Sequence, residues 1–276
     1  MCADVGLSER YQCYLEVAGE MSPSLADPLP PKASMAGEPG FAVVVAVFNE
    51  EDNVAAVTEE ILRAAAPLGR FELIYVDDGS DDATAERLRA LRLTDCAIRV
   101  LRHDRRCGKT AALVTGVLAA RAPWIVTMDG DGQNSADDIP RLLELASRGG
   151  EPSPLVAGIR ARRHDPWSRR VATKLANRFR RALLHDDCPD TGCGLKAFRR
   201  DVFLRLPVFE GMHRFLPALF RAYGHPLVCC PVTHRPRLAG RSKYTNFGRA
   251  VVGLFDTLGV IWLRRRTQLP GRVLEE

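Results

Sequence analysis

Oxygen-bearing side chains occupy every second position of the segment Asp129-Gly-Asp-Gly-Gln133. This segment comes directly after the apolar run 124–128, which has the length and composition of a buried strand. Hard cations such as Mg²⁺ and Mn²⁺ take oxygen ligands in proteins and commonly bridge to a phosphate group. The spacing therefore predicts a divalent cation on Asp129, Asp131 and Gln133. A turn rich in Asp that simply closes the strand is the alternative interpretation of one such triplet.

Two more polar loops follow predicted strands. Phe48-Asn-Glu50 follows the run 42–47, and Asp77-Asp-Gly-Ser80 follows the run 72–76. Ligands of doubly wound sheets bind outside the carboxyl ends of the strands, so we expect these loops and the Asp129 segment at one common edge. Converging carboxylates repel one another unless a cation or hydrogen-bond donors lie among them. The pattern therefore favours an ion, a sugar ring or both at this edge.

The elements that position these loops alternate along the chain. Short β-branched runs and longer amphipathic segments follow each other from Phe41 onward, which predicts βαβ units around a mostly parallel sheet. Acidic residues directly after Asn49 and Ser80 predict helix starts there. We expect strands at 42–47, 72–76, 98–101, 124–128, 155–157 and 227–232, and helices at 51–66, 82–91, 109–120, 137–147, 201–206 and 213–223.

Composition limits the alternatives. The chain has 276 residues and 46% hydrophobic composition, which suits one main domain with an appendage. We expect residues 1–40, rich in proline and small polar residues, to be a disordered extension, residues 41–240 to form the α/β domain, and residues 241–276 to form a loop and an amphipathic helix. The arginine-rich segment 160–181 suggests a surface for phosphate-bearing partners, although a solvated helix face is the commoner meaning.

Several functional classes are disfavoured by the sequence. The eight cysteines show no C-x-x-C pair, so neither a zinc site nor a disulfide framework is predicted and a reducing cytosol fits. No secretory signal or membrane-spanning run is expected, because Arg249 and Asp256 interrupt the most apolar segment, 247–263. Gly108-Lys109-Thr110 lacks the preceding glycine of a P-loop. A nucleic-acid-binding protein would need aromatic stacking platforms among the arginines and would not explain acids at successive strand ends.

Six segments, in order along residues 41–263, resemble the family 2 glycosyltransferases of GT-A fold. The resemblance is to the branch of dolichol-phosphate mannose synthase and the bacterial polyprenyl-phosphate glycosyltransferases, and the ordered set is far more specific than any one segment. The chain departs from this family at Gly132, where leucine is common, and at Asp137-Asp138, where a proline pair is common. The segments are Ala46-Val-Phe-Asn-Glu50, Asp77-Asp-Gly-Ser80, Gly108-Lys109, Asp129-Gly-Asp-Gly-Gln133, Asp190-Thr-Gly-Cys-Gly-Leu-Lys196 and Gly240-Arg-Ser-Lys-Tyr244.

The resemblance implies a Rossmann-like, mostly parallel sheet flanked by helices and a C-terminal amphipathic segment. It implies Mg²⁺ or Mn²⁺ on Asp129, Asp131 and Gln133, and catalytic roles for Asp190 and Asp131. Asp190 is either a base or a residue that orients the site, and an aspartate that caps a turn is nearly as common. The implied nucleotide-sugar site comprises Phe48, Asn49, Glu50, Asp77, Asp78, Lys109, Asp129 and Gly130. The implied acceptor-phosphate site comprises Arg160, Arg169, Ser242, Lys243 and His213.

Three further assignments also stay open at this point. Lys109 either contacts the donor nucleotide or solvates a helix start. His213 is more often a structural histidine than an acceptor ligand. The cluster Arg264-Arg-Arg266 follows an apolar helix, so that helix either lies in the membrane interface or packs on the core with a basic end.

The function implied by the resemblance is inverting transfer of a sugar from a nucleoside-diphosphate sugar to a polyprenyl phosphate at the cytoplasmic membrane face. Uridine is the preferred base and guanosine the alternative. Many relatives continue into membrane-spanning helices, so we expect this chain to attach peripherally to the inner face of the cell membrane or to rely on a separate membrane protein. The alternative acceptor is a sugar hydroxyl in cell-envelope polysaccharide or glycolipid synthesis, in which case Asp190 must act as a true base.

Overall fold

The computed structural model describes residues 38–95, 97–160, 183–184, 186–236 and 246–267. The extension expected at residues 1–40 therefore lies almost wholly outside the described residues, and its disorder remains a prediction. Within the described residues, seven strands form a sheet of order β3-β2-β1-β4-β6-β5-β7. The strands are β1 (Phe41–Val47), β2 (Phe71–Asp77), β3 (Ile98–Arg102), β4 (Trp124–Asp129), β5 (Leu155–Arg160), β6 (Lys196–Arg199) and β7 (Leu227–Val232).

The sheet is mostly parallel, which confirms the predicted α/β fold. Strands β1 to β4 pair in parallel, and β5 pairs in parallel with β7. Strand β6 runs antiparallel to both of its neighbours, β4 and β5. Strand β6 lies outside the strands expected from the sequence, because a four-residue run that begins with lysine and ends with arginine shows no strand alternation. Strand β6 therefore lies between β4 and β5 in the sheet and runs opposite to both.

Helices cover both faces of the sheet. Alternate residues of β1 point to opposite faces, so Val43 and Val45 join one buried cluster while Ala42 and Val44 join the other. The first cluster contains residues of α1, α2 and α4, and the second contains residues of α3, α5, α6 and α7. These helices are α1 (Val54–Ala65), α2 (Thr84–Thr94), α3 (Lys109–Ala119), α4 (Ile139–Arg148), α5 (Arg200–Leu204), α6 (Leu216–Ala222) and α7 (Asn246–Arg266).

Two predicted helix starts are wrong. Helix α1 begins at Val54 rather than directly after Asn49, and α2 begins at Thr84 rather than directly after Ser80. The reason is that the polar residues bond across the two loops. The Asn49 backbone N–H donates to Ser80 Oγ at 2.9 Å, and the Asp81 N–H donates to Asn49 Oδ1 at 3.0 Å. The acidic residues that were expected in the first helical turns therefore shape the loops at the sheet edge.

Helix α7 packs against the second buried cluster by one face. Val260 is 1% exposed and belongs to the same buried cluster as α3 and α6. The opposite face leaves Phe255, Leu258 and Trp262 exposed at 68%, 52% and 62%. Among the helices of the described residues, none combines the length and the apolar composition that crossing a bilayer requires.

Candidate functional site

The carboxyl ends of β1, β2 and β4 meet at one edge of the sheet, as the sequence predicts. Val47, the last residue of β1, pairs with Asp77 at the end of β2. Its neighbour Ala46 pairs with Asp129 at the end of β4. The three acidic loops therefore emerge side by side, and β1 separates the Asp77 loop from the Asp129 loop.

Asp77 and Asp78 serve different local roles at the end of β2. Asp77 is fully buried, accepts the Ser80 N–H at 2.9 Å and lies 3.3 Å from Arg102 Nε. Asp78 accepts hydrogen bonds from the Cys107 and Gly108 N–H groups, both at 2.8 Å, and faces His103 Nδ1 at 2.8 Å. Burial acts to raise the pKa of Asp78, but these hydrogen bonds outweigh it and hold the pKa below its usual value. Asp78 therefore holds the loop that follows β3 against the edge.

Gly79 lets that loop approach closely. Its φ of +73° lies in the left-handed region, and a Cβ at this position would lie 2.7 Å from the carbonyl carbon of Arg105. The approach places the Arg106 guanidinium 4.3 Å from the centroid of the Phe48 ring. Asn49 has a φ of +53°, and the Glu50 N–H donates to Thr84 Oγ1 at 2.8 Å. The residues predicted to hold the nucleotide are thus brought together with a cationic side chain over an aromatic ring.

Asp129 forms an ion pair with Lys109, the first residue of α3. The Asp129 side chain is 29% exposed and that of Lys109 is 37% exposed. Burial acts to raise the pKa of Asp129, but the charge of Lys109 outweighs it and the pKa is lowered. Lys109 thus pairs with Asp129 in this structure, and its contact with the donor nucleotide stays a prediction.

The packing around Gly194 explains why the Asp-Thr-Gly-Cys-Gly motif ends in glycine. A Cβ at Gly194 would lie 2.3–2.5 Å from the carboxylate atoms of Asp129, so a side chain cannot fit without displacing that carboxylate. The Gly194 carbonyl accepts the Thr127 hydroxyl at 2.7 Å, which ties the motif to β4. Gly130 is also confined, because its Cβ would meet Val47 Cγ1 at 2.5 Å. The predicted nucleotide role of Gly130 is not tested by this packing.

Lys196 is a charged residue of the site that ends the Asp190–Lys196 segment and to which no sequence pattern assigns a role. It is 3% exposed on β6, and Nζ donates to the carbonyl oxygens of Thr191, at 3.3 Å, and Cys193. Burial lowers its pKa, opposed by the nearby Cys193 and by Asp129. Lys196 therefore holds the Asp190–Gly194 loop by its backbone carbonyl oxygens and adds positive charge near Asp129. The only signal in the sequence is a lysine inside an otherwise apolar stretch.

The loop that carries Asp131 and Gln133 is tied to the segment after β7. Gln133 N–H donates to Asp131 Oδ1 at 3.2 Å, and the Arg235 N–H donates to the Gln133 carbonyl at 2.8 Å. Arg235 Nη2 lies 2.7 Å and 2.8 Å from the two carboxylate oxygens of Glu60. Glu60 also accepts the Ala136 N–H at 3.0 Å. Glu60 and Arg235 therefore hold the Asp131 loop, although neither stands out in the sequence.

The predicted catalytic carboxylate and a predicted phosphate ligand are each other's partners. Arg160 Nε and Nη2 donate to the two carboxylate oxygens of Asp190 at 2.6 Å and 2.7 Å. The side chains are 20% and 6% exposed, respectively. A bidentate pair of this kind neutralises both charges and fixes their geometry. Asp190 is thereby placed to orient the loop, which fits the orienting role better than the role of a base.

His213 lies next to the ion pair of Lys109 and Asp129. It sits on a short 3₁₀ turn before α6 and its Nδ1 lies 2.8 Å from Thr110 Oγ1, beside Lys109. Burial lowers the pKa of His213 well below its ordinary value, and the charge of Lys109 adds to this effect. His213 is therefore neutral near pH 7 and joins α3 to the turn. Three other predicted acceptor residues, Arg169, Ser242 and Lys243, lie outside the described residues.

The donor set at Asp129 and Asp131 fits a hard divalent cation. Both carboxylates are partly exposed at the edge, and Lys109 already supplies positive charge to one of them. Mg²⁺ and Mn²⁺ prefer such oxygen ligands and keep part of their water shell. The Gln133 side chain lies farther along the same loop, where Nε2 reaches the Arg235 carbonyl at 3.5 Å. Its predicted role as a metal ligand stays a prediction.

Comparison with known proteins now decides the family. The family model described as "Glycosyl transferase family 2" matches residues 42–206. The chain belongs to this family. Solved structures extend the match to the GT-A fold. Glucosyl-3-phosphoglycerate synthase from Mycobacterium tuberculosis, in complex with Mn²⁺, UDP and glucosyl-3-phosphoglycerate, has a TM-score of 0.58 and 22% identity over 83% of this chain and 80% of its own.

Two curated relatives of this family 2 chain are polyprenyl-phosphate enzymes by name. Undecaprenyl-phosphate 4-deoxy-4-formamido-L-arabinose transferase from Edwardsiella ictaluri (strain 93-146) is 33% identical over 206 residues, which are 74% of this chain and 62% of the relative. Dodecaprenyl-phosphate galacturonate synthase from Rhizobium johnstonii (strain DSM 114642 / LMG 32736 / 3841) is 34% identical over 236 residues, 84% of this chain and 69% of the relative. The chain thus spans less than two thirds of the first relative's length.

Proposed function

We propose that this chain transfers a sugar from a nucleoside-diphosphate sugar to a polyprenyl phosphate. The observation that carries the proposal is the partly exposed Asp129 and Asp131 edge with Lys109 beside it, in a member of family 2. The acceptor is proposed from the names of the two curated relatives, which are both polyprenyl-phosphate enzymes. Their sugars differ, so the sugar is left open, and uridine is our proposed base.

In the proposed reaction, the cation is held by Asp129, Asp131 and Gln133. When bound, it offsets the negative charge that develops on the leaving nucleoside diphosphate. The residues of the chain bind and orient the nucleoside-diphosphate sugar. Phe48, Asn49, Glu50 and the Asp77 loop hold the nucleoside, and Lys109 leaves its ion pair with Asp129 to contact the diphosphate. A lysine can make this change because its long side chain rotates freely and its charge suits either partner.

The acceptor phosphate then attacks the anomeric carbon in line, opposite the diphosphate. A phosphate oxygen forms the new C–O bond as the bond to the diphosphate oxygen breaks, which inverts the anomeric centre. A phosphate monoester has a second pKa of about 6, so it is mostly ionised at neutral pH and needs no strong base. The bidentate pairing of Asp190 with Arg160 supports this acceptor over a sugar hydroxyl, which would require Asp190 as a base.

The exposed face of α7 supports a peripheral attachment to the cytoplasmic membrane surface. Phe255, Leu258 and Trp262 follow helical spacing on this face, and Arg265 and Arg266 are exposed at the end of the helix. Large apolar side chains bordered by arginines suit an anionic bilayer surface. In flotation with anionic vesicles, Phe255→Ala with Trp262→Ala should lose most lipid binding. Leu93→Ala, which removes a side chain 88% exposed on α2, should not.

The transfer itself is tested with a panel of labelled nucleotide sugars, undecaprenyl phosphate and Mn²⁺ or Mg²⁺. We expect at least one donor to give label that extracts into organic solvent only when the metal is present. Asp131→Asn is the matched negative control. Metal-dependent label in a soluble glycan, with none in the lipid fraction, would replace the lipid acceptor by a sugar hydroxyl. If no donor labels either fraction, the proposed transfer is wrong.

A further inference from the structure

A strap, residues 233–235, follows β7 directly and runs beside the cation loop, residues 129–138, which carries the proposed cation ligands. Three contacts join the strap to this loop: the Thr233 N–H donates to Asp138 Oδ2 at 2.7 Å, His234 forms an antiparallel bridge with Asn134, and the Arg235 N–H donates to the Gln133 carbonyl at 2.8 Å. The cation loop is therefore held along its length by a segment that lies far away in the sequence.

A largely buried carboxylate on α1 anchors both the strap and the cation loop. Arg235 Nη2 lies 2.8 Å and 2.7 Å from the two carboxylate oxygens of Glu60 and donates to the Asn134 carbonyl at 3.1 Å. Glu60 Oε1 also accepts the Ser135 hydroxyl at 3.1 Å and the Ala136 N–H at 3.0 Å. The Glu60 side chain is 13% exposed, so water competes little for its oxygens. One side chain of α1 thus holds the strap and the loop together.

The other end of the strap leads to the proposed acceptor side of the site. Val232, the residue before the strap, pairs with Arg160 in the parallel register of β5 and β7. Arg160 in turn forms the bidentate ion pair with Asp190. One continuous stretch, residues 232–235, therefore contacts both the loop that offers the cation ligands and the strand that carries the predicted phosphate ligand.

We propose that Glu60 and Arg235 are positioning residues for the transfer, an inference that rests on the proposed function. In-line attack requires the donor sugar and the acceptor phosphate to be held at a fixed distance and angle. The cation loop offers ligands on the donor side, and Arg160 is the predicted ligand on the acceptor side. By fastening the strap and the cation loop to α1, Glu60 and Arg235 keep Asp131 in a fixed position relative to Arg160.

Mn²⁺ binding to the full chain in the presence of UDP tests this role, with free Mn²⁺ followed by electron paramagnetic resonance. Arg235→Met should lower the Mn²⁺ affinity about tenfold, as loss of a partner behind metal ligands does. Arg235→Lys should restore most of it, because one nitrogen, Nη2, contacts both Glu60 oxygens and an ammonium can replace it. The matched control is Arg63→Met, which removes an exposed ion pair between α1 and Asp137 and should change the affinity less than about twofold.

Thermal unfolding separates positioning from a loss of stability. A residue that only stabilises the fold lowers the melting temperatures of the free chain and of the chain loaded with Mn²⁺ and UDP equally. A positioning residue also reduces the rise in melting temperature that these ligands cause, because their affinity for the folded chain falls. We expect Arg235→Met and Glu60→Gln to reduce this rise and Arg63→Met to keep it.

In the lipid-labelling assay, Glu60→Gln should lower kcat about tenfold and leave the KM for undecaprenyl phosphate within about twofold, because Arg160 keeps its pairing with Asp190. Equal Mn²⁺ affinities in Arg235→Met and Arg63→Met, or a loss that Arg235→Lys does not restore, would overturn the positioning role alone. A wild type that binds no Mn²⁺ with UDP would overturn the proposed cation site and this inference with it. The expected Mn²⁺ losses in a chain that labels no lipid would overturn only the proposed acceptor.

Discussion

Two carboxylates at opposite edges of the same sheet are neutralised in different ways. Glu72 lies near the amino end of β2, is 4% exposed, and accepts hydrogen bonds from Arg99 Nη1 and Arg121 Nε, both at 2.9 Å. The Arg121 and Ala122 N–H groups complete its partners. Asp129, at the carboxyl end of β4, is 29% exposed and pairs with the flexible side chain of Lys109. The first charge is held by four donors, two of which are backbone N–H groups, whereas the second is paired with a lysine that can rotate away.

The contrast distinguishes a carboxylate that stabilises the fold from one that is suited to bind ligands. A buried carboxylate that is held by guanidinium groups and by backbone N–H groups stabilises the fold, and its loss leaves buried donors without partners. A carboxylate whose counter-charge can rotate away is suited to receive a cation and a diphosphate. We therefore expect substitutions at the two edges to affect different measurements.

The largest effect is expected for Asp131→Asn, which removes a carboxylate charge at the carboxyl edge and keeps the shape. We expect metal-dependent transfer to fall at least about 100-fold, the scale of losing one charge-stabilising group in an active site. The melting temperature should change little, because Asp131 is partly exposed. The measurement is the initial rate of lipid labelling beside a thermal unfolding curve. Unchanged transfer in a folded variant would place the cation elsewhere.

The next effect is expected at the other edge. Glu72→Gln should lower the free energy of unfolding by about 2 kcal/mol, because Arg99 and Arg121 lose their charged partner. The two arginine side chains are 29% and 71% exposed, so water moderates the cost. Urea denaturation measures the loss, and the transfer rate at 20 °C should stay within about twofold of wild type. A loss of transfer as large as that of Asp131→Asn would erase the distinction between the edges.

Gly194→Ala tests whether transfer depends on the present position of the Asp129 carboxylate. The added Cβ would lie 2.3–2.5 Å from the Asp129 carboxylate, so that carboxylate must move away from its present position. We expect about a tenfold loss of transfer at saturating donor, and weaker Mn²⁺ dependence. Gly259→Ala in α7 is the matched control, since a Cβ there meets nothing within 4 Å. Equal rates for the two variants would show that the position of Asp129 does not matter.

The smallest effect concerns the histidine beside the ion pair. Burial and the charges of Lys109, Arg214 and Lys196 lower the pKa of His213 in the folded chain, opposed by Asp129. The unfolded chain therefore binds more protons below about pH 6.5, and folding stability falls as the pH falls through that value. We expect a loss of about 1 kcal/mol between pH 7 and pH 5.5. His213→Gln should remove this dependence, and identical pH profiles of stability for both proteins would contradict it.

The sequence predicts the fold well where strands are apolar and β-branched. Strands β1 to β5 and β7 fall within a few residues of the expected runs, whereas β6 was missed because Lys196 and Arg199 bound a run of only four residues. Lys196 can be buried there because backbone carbonyls of the preceding loop accept hydrogen bonds from its Nζ. The helix starts after Asn49 and Ser80 were misplaced because their side chains bond to each other's loops, a tertiary effect that local patterns do not contain.

The place of the candidate site could be predicted, but its pairings could not. Parallel strands bring their carboxyl ends to one edge, so the position of the acidic loops follows from topology. The ion pairs join residues far apart in the chain. Lys109 and Asp129 are 20 positions apart, Arg160 and Asp190 are 30 apart, and Glu60 and Arg235 are 175 apart. Spacing alone gives no signal for such partners, and for this reason Asp190 and Arg160 were assigned separate roles.

The most direct test of the account is binding of UDP to the purified chain with and without Mn²⁺, measured by isothermal titration calorimetry. We predict that Mn²⁺ tightens UDP binding at least tenfold in the wild type and in Glu72→Gln, and that Asp131→Asn loses this gain. Mn²⁺-dependent binding that persists undiminished in Asp131→Asn, or that disappears in Glu72→Gln, would contradict the assignment of the exchangeable charge to the carboxyl edge.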